Sequence, residues 1–415
     1  LQTRCNASFI RSSHRARAGI SLLEVMFAIG VVMIGLVGIA ALLPVGGSLA
    51  RKGAVADAAA KAGANAVREF RARGMSNPDN WRWFRPAGDG EFRPVPTAQG
   101  AFPSPGTSFC LDPLFIAAPT APDRNLSLGS DKYKQEMRIR RRFPLNKVYE
   151  RDTPVLAMPR ITLHSPATAN GVLDQLVAQE LFASADDLVF DRPSDRTLGP
   201  VQNFASRDAA GDNPVKRYAD CHISWMATIV PKLDRIRNAE SVTGMNPTNE
   251  YTLSIVVFDR RPIDRDLYDA DTDDLVLESM VSERVVMVME GGFHSGNPAF
   301  SGGDMTLATR DSRGEEDGAD GDLELRGGDW IMLSREKPLL GGRTVKIHKW
   351  YRVTNAGEDP VFDQYENGRW TRDVTVVGPD WDWHPNYPTQ ATIVHGVVEV
   401  LEKTVRLENN SMWTR

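Results

Sequence analysis

A chain of 415 residues, 41% hydrophobic and 25% charged, is long enough to bury one or two cores and has the balance of a folded protein, which excludes wholesale disorder. The formal charge is −5, but the first nineteen residues hold four arginines and no acid; 49 basic residues less these four leaves 45 against 54 acidic ones, or −9. So acidic a remainder argues against binding nucleic acid by counterion release, and no nucleic acid is expected as a partner.

The first element in chain order is an apolar run that ends at Leu43. About 24 residues at ~1.5 Å each span a hydrocarbon layer of ~30 Å. Arg4, Arg11, Arg15 and Arg17 precede the run, so that side stays cytoplasmic and the chain beyond the run is exported. The run is longer than the apolar region of a secretory signal. One charge interrupts it, Glu24. A carboxylate in hydrocarbon costs several kcal/mol unless paired, which marks this residue as functional.

The stretch Gly19-Ile20-Ser21-Leu22-Leu23-Glu24 with its apolar continuation resembles the cleavage and methylation segment of type IV prepilins. Ile34-Gly35-Leu36-Val37-Gly38 further resembles minor pilins and type II secretion pseudopilins. The likeness covers about 55 of the 415 residues. It implies a basic leader, residues 1–19, cut after Gly19 by a prepilin peptidase. Ile20 would be the N-methylated first residue, where the family usually has Phe or Met. Glu24 falls on the family's glutamate, which pairs with the N-terminus of a subunit already in the filament.

The implied partners are other pilin or pseudopilin subunits, the peptidase and the inner membrane. The implied location is a single-pass insertion with the soluble part outside the cytoplasm, then a pilus or pseudopilus. The soluble part, about 340 residues, would hinder close stacking along a shaft, which favours a minor or tip subunit. The reading from another class is a single-pass anchored exported domain with binding or enzymatic activity.

After Leu43, Pro44 is expected to kink a helix that continues to about Arg73. Val55, Ala59, Ala62, Ala66 and Phe70 recur at helical spacing, so residues 48–73 form an amphipathic half beyond a membrane segment, 20–43, of one helix, 20–74. Gly74 is placed to end it, with Asn77-Pro78 as a stop. Residues 75–215 are rich in Pro, Arg and Gly and read as irregular, apart from a short helix, 171–182, with Val172, Leu176, Val177 and Leu181 on one face. Arg138-Ile139-Arg140-Arg141-Arg142 reads as a strand with a solvated face, the alternative being a site for an acidic partner.

Residues 216–415 read as the β-rich soluble domain. Strands are expected at 222–230, 251–258, 284–289, 330–333, 344–353, 372–377 and 392–407, with turns at Asn355-Ala356-Gly357 and Asn367-Gly368. The fold class is therefore α+β: a long N-terminal hydrophobic helix packed on a large, mainly antiparallel β domain.

No catalytic motif is present: no Gly-x-Ser-x-Gly, His-Glu-x-x-His, P-loop, Gly-x-Gly-x-x-Gly or Cys-x-x-Cys. The protein is read as a non-enzyme without cofactor. Cys5 leaves with the leader, so Cys110 and Cys221 remain, open to a disulfide outside the cytoplasm or to two separate thiols. Asp269, Asp271 and Asp273 set oxygen donors at alternate positions, as a Ca²⁺ loop begins, but Asp274 stands where an EF-hand needs Gly and Met280 where it needs Glu. A second acidic loop runs from Asp311 to Asp322. Both read as solvated turns, with Ca²⁺ the alternative. Trp381-Asp382-Trp383-His384-Pro385 reads as a surface loop packed by its own aromatics, the alternative being a grip on a sugar or partner chain.

Overall fold

The computed structural model describes residues 21–85, 91–95, 107–117, 137, 140–145, 156–166, 171–173, 175–183, 188–190, 217–219, 222–238, 241–261, 283–291, 302–309, 319–338, 344–363, 368–381 and 387–407. Helix α1 (Leu22–Ala72) leads into β1 (Trp81–Arg85), β2 (Glu91–Pro94), β3 (Phe109–Leu111), helix α2 (Pro113–Ala117), β4 (Arg142–Phe143), β5 (Met158–Leu163), helix α3 (Gln175–Phe182), β6 (Leu188–Phe190) and β7 (Arg217–Ala219). Then come β8 (Ile223–Asn238), β9 (Ser241–Asp259), β10 (Glu283–Gly291), β11 (Gly302–Ala308), β12 (Trp330–Pro338), β13 (Thr344–Ala356), β14 (Val361–Asp363), β15 (Arg369–Val377), β16 (Gln390–Val394) and β17 (Val397–Arg406). The architecture is α+β, as the sequence suggests. The chain divides into two compact units, Leu1–Ala54 and Val55–Arg415.

In the first unit, α1 runs on through Pro44, and none of its most apolar eighteen-residue window is buried. The helix is long and apolar enough to cross a membrane.

The second unit is layered. The last turns of α1 bury Ala59, Gly63, Ala66 and Phe70. The helix ends where expected: Gly74 takes a φ of +62°, open to a residue without Cβ. Its N–H donates to Arg71 O at 3.2 Å while Met75 N–H reaches back to Phe70 O at 3.0 Å. These two bonds form a Schellman cap, and its apolar partners Phe70 and Met75 are both fully buried.

The middle layer is a sheet ordered β17-β9-β8-β3-β5-β1-β2, with β4 beside β5. All its pairings are antiparallel except β3 with β5. Side chains alternate across a strand. Ala227, Ile229, Leu253, Ile255 and Val257 therefore turn to one face, where they pack with Ala59, Ala66 and Phe70 of α1 and with Ala178 and Phe182 of α3. Met226, Val256 and Phe258 turn to the other.

The third layer is a closed six-stranded barrel in the order β11-β10-β16-β12-β13-β15, with β15 pairing back to β11 over Gly302–Ala308. Interior positions such as Ile331, Leu333, Ile347, Tyr351, Val353, Ala391 and Ile393 fill it. The outward Met332, Trp350 and Val394 pack with Cys110, Phe143, Met226, Val256 and Phe258 of the sheet. The barrel is inserted between β9 and β17, which pair with each other. The chain returns through Gly396, at φ +81°, where a Cβ would lie 2.8 Å from Asp259 O.

Several expectations are corrected. The region 75–215, read as irregular, contributes β1 to β5 to the sheet and its apolar core, because Trp81, Phe109, Leu111 and Ile161 are buried. The short helix starts at Gln175; Leu181 packs against the core as expected and Val172, ahead of the helix, is buried, but the most enclosed positions are Ala178 and Phe182, and Val177 is exposed. Arg140 is buried rather than solvated, its Nη1 donating to Phe115 O at 3.3 Å. The strand expected at 392–407 is two strands, β16 and β17, joined at Gly396. Strand β11 carries no β-branched run and was not expected.

Candidate functional site

Glu24 stands in the first turn of α1, and its backbone N–H lies 3.2 Å from Ser21 Oγ and 3.0 Å from Ser21 O. Ser21 is thus the N-cap and Glu24 the third helical residue. A carboxylate there also suits the positive end of the helix dipole. The Ser-x-x-Glu spacing is the sequence signal for this cap, and reading Glu24 only as a lone charge missed it. Around it Leu22, Leu23, Met26 and Phe27 are exposed. The arrangement is an apolar rod with one acid at its capped start. Gly19 and Ile20 lie outside the described residues.

Asp269, Asp271, Asp273 and Cys221 also lie outside them. Cys110 is a free thiol, fully buried, with Sγ 3.8 Å from Met226 Sδ. Burial pushes this thiol well above its ordinary range. Among the described residues no group of three or more His, Cys, Asp or Glu side chains is placed to hold a metal ion. At the end of the second acidic loop, Arg284 donates to the main-chain Gly321 O and, at 2.7 Å, to Glu324 O, while residues 311–318 of that loop lie outside the described residues. His384 lies outside the described residues, while Trp381 is buried in the barrel core, its Nε1 donating to Thr389 Oγ1 at 3.3 Å.

The polar groups missed in the sequence are those between sheet and barrel. Arg261 grips Asp112 with Nη1 at 2.8 Å and Nη2 at 2.6 Å. Arg160 sets Nη2 2.6 Å from Glu283 Oε1 and Nε 3.1 Å from Asp112 Oδ2. Glu283 Oε2 accepts the Leu145 N–H at 2.8 Å. The Arg160 guanidinium also lies 4.0 Å from the centre of the Phe115 ring. Burial alone would raise the Asp112 carboxyl, but Arg261 and Arg160 hold it below the ordinary range. The network joins β3, β5 and the end of β9 to the first residue of β10. Its charges are matched and enclosed, so it orients the two layers and offers no open site for a substrate.

A second polar group lies on the same side of the barrel. Ser334 on β12 faces His348 on β13, with Oγ 2.8 Å from Nδ1. Comparison with family models, with curated proteins and with solved structures gave no match.

Proposed function

We propose that the chain is a prepilin-like minor or tip subunit of a type IV pilus or type II secretion pseudopilus, working by assembly and contact rather than turnover. The observation that carries this reading is the wholly unburied apolar start of α1, with one carboxylate at its capped first turn. Such a surface needs hydrocarbon or other apolar helices around it, and such an acid needs a cation.

Cleavage after Gly19 supplies that cation as the α-amine of Ile20. The amine of one subunit and Glu24 of the next then form the docking pair, while the apolar helices pack side by side. The prepilin peptidase, the inner membrane and other pilin-like subunits are the partners that this requires.

Mass spectrometry of the mature N-terminus tests the reading. The expected species begins at Ile20 and carries one added methyl group, and Gly19→Leu accumulates uncut. An uncut wild-type chain would instead establish a plain single-pass anchor. On a processed chain, Glu24→Ala is expected to insert in the membrane and stay out of the filament. Normal incorporation would refute the pairing.

A further inference from the structure

Lys346, His348 and Trp350 share the outward face of β13, since side chains two apart point the same way. Both outer members of the trio reach the sheet layer. Lys346 Nζ donates to Ala157 O at 3.3 Å, and Trp350 Nε1 donates to Thr228 Oγ1 on β8 at 3.1 Å. His348, between them, is enclosed where barrel and sheet meet and is 4% exposed. Ser334, 1% exposed, occupies its Nδ1 at 2.8 Å. Its Nε2 is enclosed without a hydrogen-bond partner among the described residues.

The charged group acting on the imidazole is Lys346, itself influenced by Glu336 on β12 and Arg142 on β4. The adjoining side chain on β16, Gln390, is neutral, and its Oε1 accepts the Leu156 N–H at 3.0 Å. Asp112, Arg160, Arg261 and Glu283, on the neighbouring elements, are paired with one another. A proton added to His348 would place a second cation near Lys346 and an N–H without an acceptor in an enclosed space. Either feature is costly away from water.

We infer that His348 is an acid-sensitive catch between barrel and sheet, closed when the imidazole is neutral and released locally when it is protonated. Burial first, and then the Lys346 charge, pull the imidazole from 6.5 down to about 3 in the closed form. Above pH 6.5 neither form binds this proton, so closure is unaffected. Between 6.5 and about 3 the open form binds it and the closed form does not, so closure weakens by about tenfold per pH unit. Asp112 works at lower pH, because its carboxyl is held below the ordinary range. Glu402, raised by burial, acts in the opposite sense and favours the folded form when protonated.

Hydrogen exchange of the full chain, corrected for the intrinsic pH dependence of the rates, reads the catch between about pH 7 and about pH 4.5. Protection of β12, β13 and β8 is expected to fall as the pH drops in the wild type and to stay level in His348→Leu. Parallel loss in both chains, or no loss in the wild type, overturns the inference. A second measurement needs no variant. The His348 ring resonances are expected to remain those of the neutral imidazole at about pH 5 in the closed protein, and titration near its unperturbed value of about 6.5 overturns it.

Discussion

The two faces of the central sheet are covered by different means. Towards α1 and α3 the contacts are apolar, Ala59, Ala66 and Phe70 against Ile229, Ile255 and Val257, and the indoles of Trp81 and Trp225 turn their N–H to backbone carbonyls. Towards the barrel an apolar patch is joined by enclosed ion pairs, a Trp350 to Thr228 bond and the His348 pair. Apolar contact has no direction, so shape alone sets the helix on its face. Ion pairs and hydrogen bonds are directional, so they fix the rotation and register of the barrel. The first face should respond to volume and the second to charge.

The largest effect expected on this contrast is from Asp112→Ala. It leaves two enclosed guanidiniums, Arg160 and Arg261, with only the Glu283 carboxylate between them, and a buried pair broken on one side costs about 3–5 kcal/mol. Chemical denaturation of the full chain in detergent measures it, and a loss below about 1 kcal/mol would show the pairs to be inessential. The contribution of Asp112 is present above its unfolded pKa of about 3.9 and is lost as the pH falls through its lower folded value.

Gly63→Ala comes next, on the other face. A Cβ at Gly63 would run into Leu401 Cδ1 and lie 3.3 Å from Val257 Cγ2. Overpacking of this kind costs about 1–3 kcal/mol, with no dependence on salt. An unchanged midpoint would mean that the helix shifts freely on its face. The smallest effect is expected from Arg406→Ala. Its pair with Glu250, 3.1 Å long, is largely exposed, and such pairs contribute about 0–1 kcal/mol. A larger loss there would show that charge alone, without burial, explains the barrel face.

How much of this the sequence discloses depends on the range of each interaction. The amphipathic half of α1 and its end at Gly74 were legible, because helical period and capping act over four or five residues. The strands of β8, β9, β12 and β13 were legible from their β-branched and aromatic runs, although their ends were not. Strands β1, β3 and β5 were hidden: they are short, and Trp, Arg and Pro beside them suggest loops until the partner strands are known. The ion network joins residues 149 and 123 positions apart, a separation that no periodicity encodes. Arg140 looked solvated because a run of arginines usually is, and only the Phe115 pocket reverses this. At the candidate site, Glu24 was legible as a charge among apolar residues, and the Ser21 cap needed only its spacing.

The insertion of the barrel between β9 and β17 also sets an order of events. Val397 must meet Phe258 across nearly the whole of the barrel sequence, so the sheet's last strand arrives only when the C-terminal part of the chain has been made. Closing so long an excursion from a loose chain carries a substantial entropic cost. A formed barrel removes much of it, because its first and last strands are paired, with the first residue of β10, Glu283, opposite the last of β16, Val394. Until then β9 presents a bare edge, open to pairing with the wrong neighbour.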